Sequence, residues 1–96
     1  MTPTERFSAN LIRCRKRAGL SPAQLADYAG VSRSDVCRLE QAAHLPRVDK
    51  VVKLAGALRI DPSDLLAGMR WEAHRDRPGC FVEQWPLERE LACGDG

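Results

Sequence analysis

An all-α fold is predicted for this chain, with five short helices in the first 68 residues and a C-terminal extension of different character after them. Three observations predict it. A Ser, Thr or Asp followed three positions later by Glu, Asp or Gln, a pattern able to satisfy two orphan amides at a helix start, occurs at Thr2, Ser21, Ser32 and Asp61. Between these points apolar residues recur at spacings of three and four rather than alternating. Aromatic content is only 5% and charged content 29%, and no low-complexity stretch interrupts the chain, which suits a compact helical domain better than a β-sandwich or a disordered segment. At 96 residues there is room for one modest core.

The first helix is predicted from Pro3 to Ala18. Thr2-Pro3-Thr4-Glu5 opens it, Phe7, Leu11, Cys14 and Ala18 form its apolar stripe, and Gly19 stops it. Ser21-Pro22-Ala23-Gln24 opens a two-turn second helix whose stripe is Leu25, Ala26 and Ala29, ended by Gly30, which can take a positive φ. Ser32-Arg33-Ser34-Asp35 caps a third, with Val36 and Leu39 on one face and Arg33, Ser34, Cys37 and Arg38 on the other. Pro46 marks residues 42–47 as a loop. A fourth helix over Val48–Leu58 carries Val48, Val51, Val52, Ala55 and Leu58, and Asp61-Pro62-Ser63-Asp64 caps a fifth through Leu65, Leu66 and Ala67, closed by Gly68.

From Met69 onward the chain holds both tryptophans and the turn Arg75-Asp76-Arg77-Pro78-Gly79. Residues Cys80 to Trp85 read as a short strand and Pro86 to Ala92 as a short helix. Trp71, Phe81, Val82, Trp85, Leu87 and Leu91 are too apolar for a solvated linker. They are expected to hold a second copy of the chain or a protein partner, or else to fold back on the domain.

The net charge of +2 hides an asymmetry. Residues 1–48 carry eight basic side chains against four acidic, and the remainder seven against nine, so the first half is suited to a polyanion. No apolar run approaches the length of a membrane span or a signal-peptide core, so no membrane contact is expected and the chain is placed in the cytoplasm. Cys14, Cys37, Cys80 and Cys93 are then expected to be reduced thiols, and with no CxxC pair they lack the spacing of a closed metal site, so no cofactor is expected. His44 and His74 stand apart from any nucleophile or paired carboxylate, which argues against an enzyme. Twelve Arg against three Lys suits a GC-rich, bacterial genome.

Leu25-Ala26, Gly30-Val31-Ser32, Val36 and Leu39-Glu40 stand at a spacing with a physical meaning. Ala26 must be small where the third helix crosses it, Gly30 makes the sharp turn, and Val36 and Leu39 anchor the third helix. With Leu11, Arg15, Gly19-Leu20-Ser21, Pro46, Leu54-Ala55, Leu58 and Leu65-Leu66 around them, this segment resembles the helix-turn-helix of the phage repressor and Cro-like (XRE) regulators. The resemblance covers nearly all of Phe7 to Leu66.

The resemblance implies a five-helix, lambda-repressor-like domain that binds double-stranded DNA as a homodimer on an inverted repeat, acting as a repressor or autoregulator. It implies that Arg33, Ser34, Cys37 and Arg38 read base edges, an arginine fork on guanine supplying about 1 to 3 kcal/mol of discrimination. Ser21, Gln41, His44 and Arg47 are the phosphate candidates. Arg15 and Glu40 would form an ion pair that fixes the tilt of the third helix, and Asp35 is expected to cap that helix. Two positions depart from the family pattern. Pro22 replaces a usual Gln that braces a phosphate, and Ala42 replaces a usual Gly, which predicts a reshaped loop or a longer third helix. The alternatives are an antitoxin-type DNA binder whose extension holds a protein partner, and an interaction module of the same fold that does not bind DNA.

Overall fold

Helix starts fall where their caps place them. The computed structural model describes residues 2–73, 75, 76 and 78–83, and contains α1 (Pro3–Arg17), α2 (Pro22–Ala29), α3 (Arg33–Glu40), α4 (Val48–Leu58), α5 (Pro62–Leu65), β1 (Met69–Glu72) and β2 (Cys80–Glu83). Thr2 and Ser21 each close a full capping box. The cap hydroxyl accepts from the amide of Glu5 or Gln24, whose side chain accepts in return from the cap's own amide, at 2.8 to 3.2 Å. Ser32 makes half of this arrangement: its hydroxyl accepts from the Asp35 amide at 3.0 Å, while the Asp35 carboxylate accepts from Lys50 Nζ at 2.8 Å. The Asp61 carboxylate accepts from the Ser63 amide at 2.9 Å, and α5 is a single turn that ends at Leu65 rather than at Ala67.

One core unites the five helices. Phe7, Leu11 and Cys14 of α1, Leu25, Ala26 and Ala29 of α2, Val36 and Leu39 of α3, Val51, Leu54, Ala55 and Leu58 of α4, and Leu65 of α5 are all buried. Fully burying a leucine or phenylalanine contributes about 1.5 to 3 kcal/mol, so this cluster is the main source of stability. Three expected core residues lie elsewhere. Ala18 is the exposed C-cap of α1, and Val48 and Val52 are 79% and 54% exposed. The core face of α4 is the tighter set Val51, Leu54, Ala55 and Leu58, and Val48 and Val52 sit on the flank of that stripe.

Two buried polar side chains complete the packing. The Asn10 amide donates to the carbonyls of Leu65 (2.9 Å) and Ala67 (2.8 Å), so α1 holds the chain as it leaves α5. Ser8 Oγ donates to the Glu40 carbonyl at 2.5 Å, at the end of α3.

After α5, β1 and β2 form an antiparallel hairpin in which Trp71 stands opposite Phe81 and Arg70 opposite Val82. The Trp71 and Phe81 rings meet edge to face, 5.2 Å between centroids. Gly79 permits this packing, because a Cβ there would stand 2.5 Å from the Trp71 ring and 2.6 Å from the Glu72 carbonyl. The sequence reading placed only the second strand. Met, Arg and Glu in β1 are not strand formers, and pairing with β2 supplies the conformation that local preference does not. Gln84 and Trp85 of the expected strand, the expected helix from Pro86 to Ala92, and with it Leu87 and Leu91, lie outside the described residues.

Candidate nucleic-acid interface

The turn between α2 and α3 depends on Gly30, at φ 70° and ψ 33°, whose amide reaches back to the carbonyls of Ala26 and Asp27. This left-handed residue ends α2 sharply enough for α3 to start three positions later. Ala26 is buried beneath the crossing. Val36 and Leu39, both 0% exposed, fix one side of α3 to the core. The opposite side presents Arg33, Ser34 and Arg38 to solvent, with Cys37 half-buried beside them.

Ion pairs hold α3 at both ends. Arg15 of α1 grips Glu40 with two parallel bonds, Nε to Oε2 at 2.5 Å and Nη2 to Oε1 at 3.2 Å, and its Nη1 donates to the Leu20 carbonyl at 2.8 Å. Both side chains are nearly nine-tenths buried, so the fork is desolvated as well as bidentate. At the other end, Lys50 of α4 holds Asp35 in the first turn of α3. The hydrogen bond from Lys50, with that ammonium's charge, the Ser32 hydrogen bond and the charge of Arg38, holds the Asp35 carboxyl below its ordinary range, against a desolvation second in size only to the Lys50 hydrogen bond. Asp35 is therefore a tether to α4 rather than the reciprocal cap its spacing predicted. With both acids of α3 paired, the arginines left on its outer face, Arg33 and Arg38, make no ion pair among the described residues.

The four phosphate candidates all lie on the surface. Ser21 spends its hydroxyl on the α2 capping box, Gln41 is the C-cap of α3, and His44 Nδ1 lies 3.1 Å from the Leu45 carbonyl. Arg47 is the N-cap of α4 and makes no side-chain cap bond, so the first-turn amides of that helix are not closed by their cap. Pro22 occupies the first position of α2, where its missing N–H is harmless, but it offers no side-chain donor. Ala42 does not lengthen α3, which ends at Glu40. It takes the left-handed conformation itself, at φ 59°, with Ala43 N–H returning to the Arg38 carbonyl at 3.0 Å.

Trp71 and Phe81 are each 54% exposed, and Val82 is placed by its backbone opposite Arg70. Lys50, Asn10 and Ser8 are structural residues that sequence reasoning did not single out. Asn10 left a trace, because it is a polar residue within the stripe Phe7, Leu11 and Cys14. Among the described residues no cluster of His, Cys, Asp and Glu is arranged to hold a metal ion, and no helix is long and apolar enough to cross a membrane.

A family profile described as a helix-turn-helix domain matches residues 6–67, which take in all five helices except the first three residues of α1. The chain belongs to the phage repressor and Cro-like helix-turn-helix family. Its five helices are thus those of a DNA-binding transcriptional regulator fold. The restriction-modification controller protein C.AhdI from Aeromonas hydrophila superposes with a TM-score of 0.63 at 34% identity, over 65% of this chain and 94% of that one. The DNA-binding domain of the P22 C2 repressor does so with a TM-score of 0.60 at 25% identity, over 62% of this chain and 79% of that one. The structure of FeII HppE reaches further, over 91% of this chain and 44% of that one, with a TM-score of 0.63 at 19% identity, and at that identity the likeness is one of fold alone. No curated protein matches the chain.

Proposed function

We propose that the protein is a homodimeric transcriptional repressor or autoregulator acting in the cytoplasm. It binds an inverted-repeat operator in double-stranded DNA, with α3 in the major groove. One observation carries this reading: α3 is fixed at both ends by ion pairs and on one face by Val36 and Leu39, while Arg33, Ser34 and Arg38 stand free on the other. A rigid helix with outward arginines suits base reading, because a guanidinium fork matches guanine O6 and N7 only when its base is held still. Cys37, half-buried at the edge of the same face, is suited to a short apolar contact with a base.

Ser21, Gln41, His44 and Arg47 position the helix by phosphate contact. Arg47 has the strongest case, since its charge stands beside the uncapped N-terminus of α4. The phosphate brace lost at Pro22 lowers the affinity of one half-site and makes pairing of two copies more important. The extension supplies that pairing through Trp71, Phe81 and Val82, with Trp85, Leu87 and Leu91 following in sequence. Two of the similar structures, a restriction-modification controller protein and a repressor's DNA-binding domain, support a regulatory role. A second reading, an antitoxin-type binder whose extension holds a protein partner, is favoured by the exposure of the Trp71 and Phe81 rings. Copurification from the native host separates the two: a stoichiometric partner held through residues 69–96 would contradict the simple repressor.

Mobility of random-sequence and genomic DNA at low salt tests DNA binding first, because phosphate contacts dominate there and are sequence-independent. Retardation that weakens steeply with added salt is expected. Unaltered mobility at low salt would point instead to an interaction module that has left DNA.

A further inference from the structure

Asp35 is the odd residue among the helix starts. Glu5 and Gln24, third in α1 and α2, return their side chains to the cap residue's own amide at 2.8 and 2.9 Å. Asp35, third in α3, has a shorter side chain than either and turns its carboxylate to Lys50 Nζ on α4, at 2.8 Å. Both partners are more than two-thirds buried, and the neighbouring Val51 and Leu54 fix that stretch of α4 in the core. At about 100° of rotation per residue, Asp35 falls on the flank of α3 between the buried Leu39 and the exposed Arg38, one turn before that arginine. Arg33 is two residues away and points to the other side of the helix. Besides Lys50, the groups that act on the carboxylate are the Ser32 hydroxyl and the charge of Arg38, so Arg38 is the second cation within its influence.

We propose that Lys50 is a positioning residue for base reading: it holds the Asp35 carboxylate on the flank of α3 and so leaves the Arg38 guanidinium to the DNA. The inference rests on the DNA-reading proposal and adds to it a residue from outside α3 that governs the base preference of one arginine and not of the other. Lys50 acts through Asp35 and not by contact with a base. An acid three residues before an arginine on a helix is placed to pair with it. Once the ammonium is removed, the carboxylate takes Arg38, and that pair must break before the guanidinium can meet a base edge. Arg33 is spared, because residues two apart on a helix do not face each other.

Competition binding tests this, on the duplex that the full chain selects from a random pool and on duplexes altered at one base pair. Arg33→Ala and Arg38→Ala assign a base position to each arginine. Lys50→Met should lower the base preference at the Arg38 position about two- to fivefold, the worth of an exposed ion pair that has to be broken, and leave the Arg33 position unchanged. Adding Asp35→Asn to Lys50→Met should restore the preference, because the competing charge is gone. Lys50→Arg should keep it, because a cation of similar reach remains. The double variant lacks the ion pair as well, so with thermal unfolding followed by circular dichroism it separates lost stability from misplaced charge. An unchanged preference in Lys50→Met, an equal loss at both positions, or a double variant no better than Lys50→Met would overturn the proposal and leave the pair a structural tie. A wild type that binds no DNA, or binds all sequences alike, is a different result: it sinks the DNA-reading proposal, and this one with it.

Discussion

Ala42 sits at φ 59°, a conformation in which a Cβ crowds the following carbonyl, and it does so because the Ala43 amide must reach the Arg38 carbonyl to close α3. Ala42→Gly removes that crowding, against a larger loss of backbone freedom on folding. A net gain of about 0.5 to 1 kcal/mol is expected in urea unfolding. A loss would mean that the Ala42 methyl makes packing contacts worth more than the strain. Asn10 shows the converse situation, a residue whose importance comes entirely from distant partners. Asn10→Ala strips Leu65 and Ala67 of a shared donor, and a destabilisation of about 1 to 3 kcal/mol is expected. Amide exchange should accelerate first in α5 and the hairpin, and uniform acceleration throughout the chain would contradict the local clamp. Asn10 left only the trace of a polar residue in an apolar stripe, with nothing to name its partners. The substitution of Ala for Gly was visible, but whether the backbone would follow the missing glycine or avoid its conformation depends on the hydrogen bond that ends α3.

Helix starts were legible because capping is local: a hydroxyl three residues before an amide meets it whatever the rest of the chain does. Their carboxylates make this part of the fold acid-sensitive. Glu5 and Asp61 are held below their ordinary ranges chiefly by the amides of Thr2 and Ser63, and Asp35 by Lys50. A carboxyl whose pKa is lower folded than unfolded contributes stability above its unfolded value, about pH 4, and that contribution disappears as pH falls through the folded value. Thermal midpoints should therefore be level from neutral pH down to about pH 5 and fall below about pH 4. Asp35→Asn should flatten part of that fall, and an unchanged acid limb in this variant would contradict a role for the Lys50 pair. The two misplaced valines have a different physical origin. Val48 and Val52 share helical spacing with the core stripe, yet the side of α4 they occupy stays exposed among the described residues, and periodicity alone does not reveal which side of a helix finds a neighbour. The first strand escaped for a similar reason, since its four residues become a strand only through β2.

At the scale of the whole molecule, the fold separates holding from reading. The core and the pairs Arg15–Glu40 and Asp35–Lys50 fix α3, which leaves Arg33, Ser34 and Arg38 outward, and a separate apolar groove lies beyond the loop carrying Arg47. The helical frame was readable because the caps of four helices and most of the apolar stripes agreed on it. The groove was not, because its parts come from α4, α5 and the hairpin and meet only in three dimensions. Footprinting on genomic DNA with the wild type, Arg33→Ala and Arg38→Ala tests base reading by α3 most directly. Each substitution should relax preference at one base position of each half-site, worth about 1 to 3 kcal/mol, while binding to random DNA falls only slightly. Equal loss of affinity on all sequences, with the site preference intact, would contradict it and reduce both arginines to phosphate contacts.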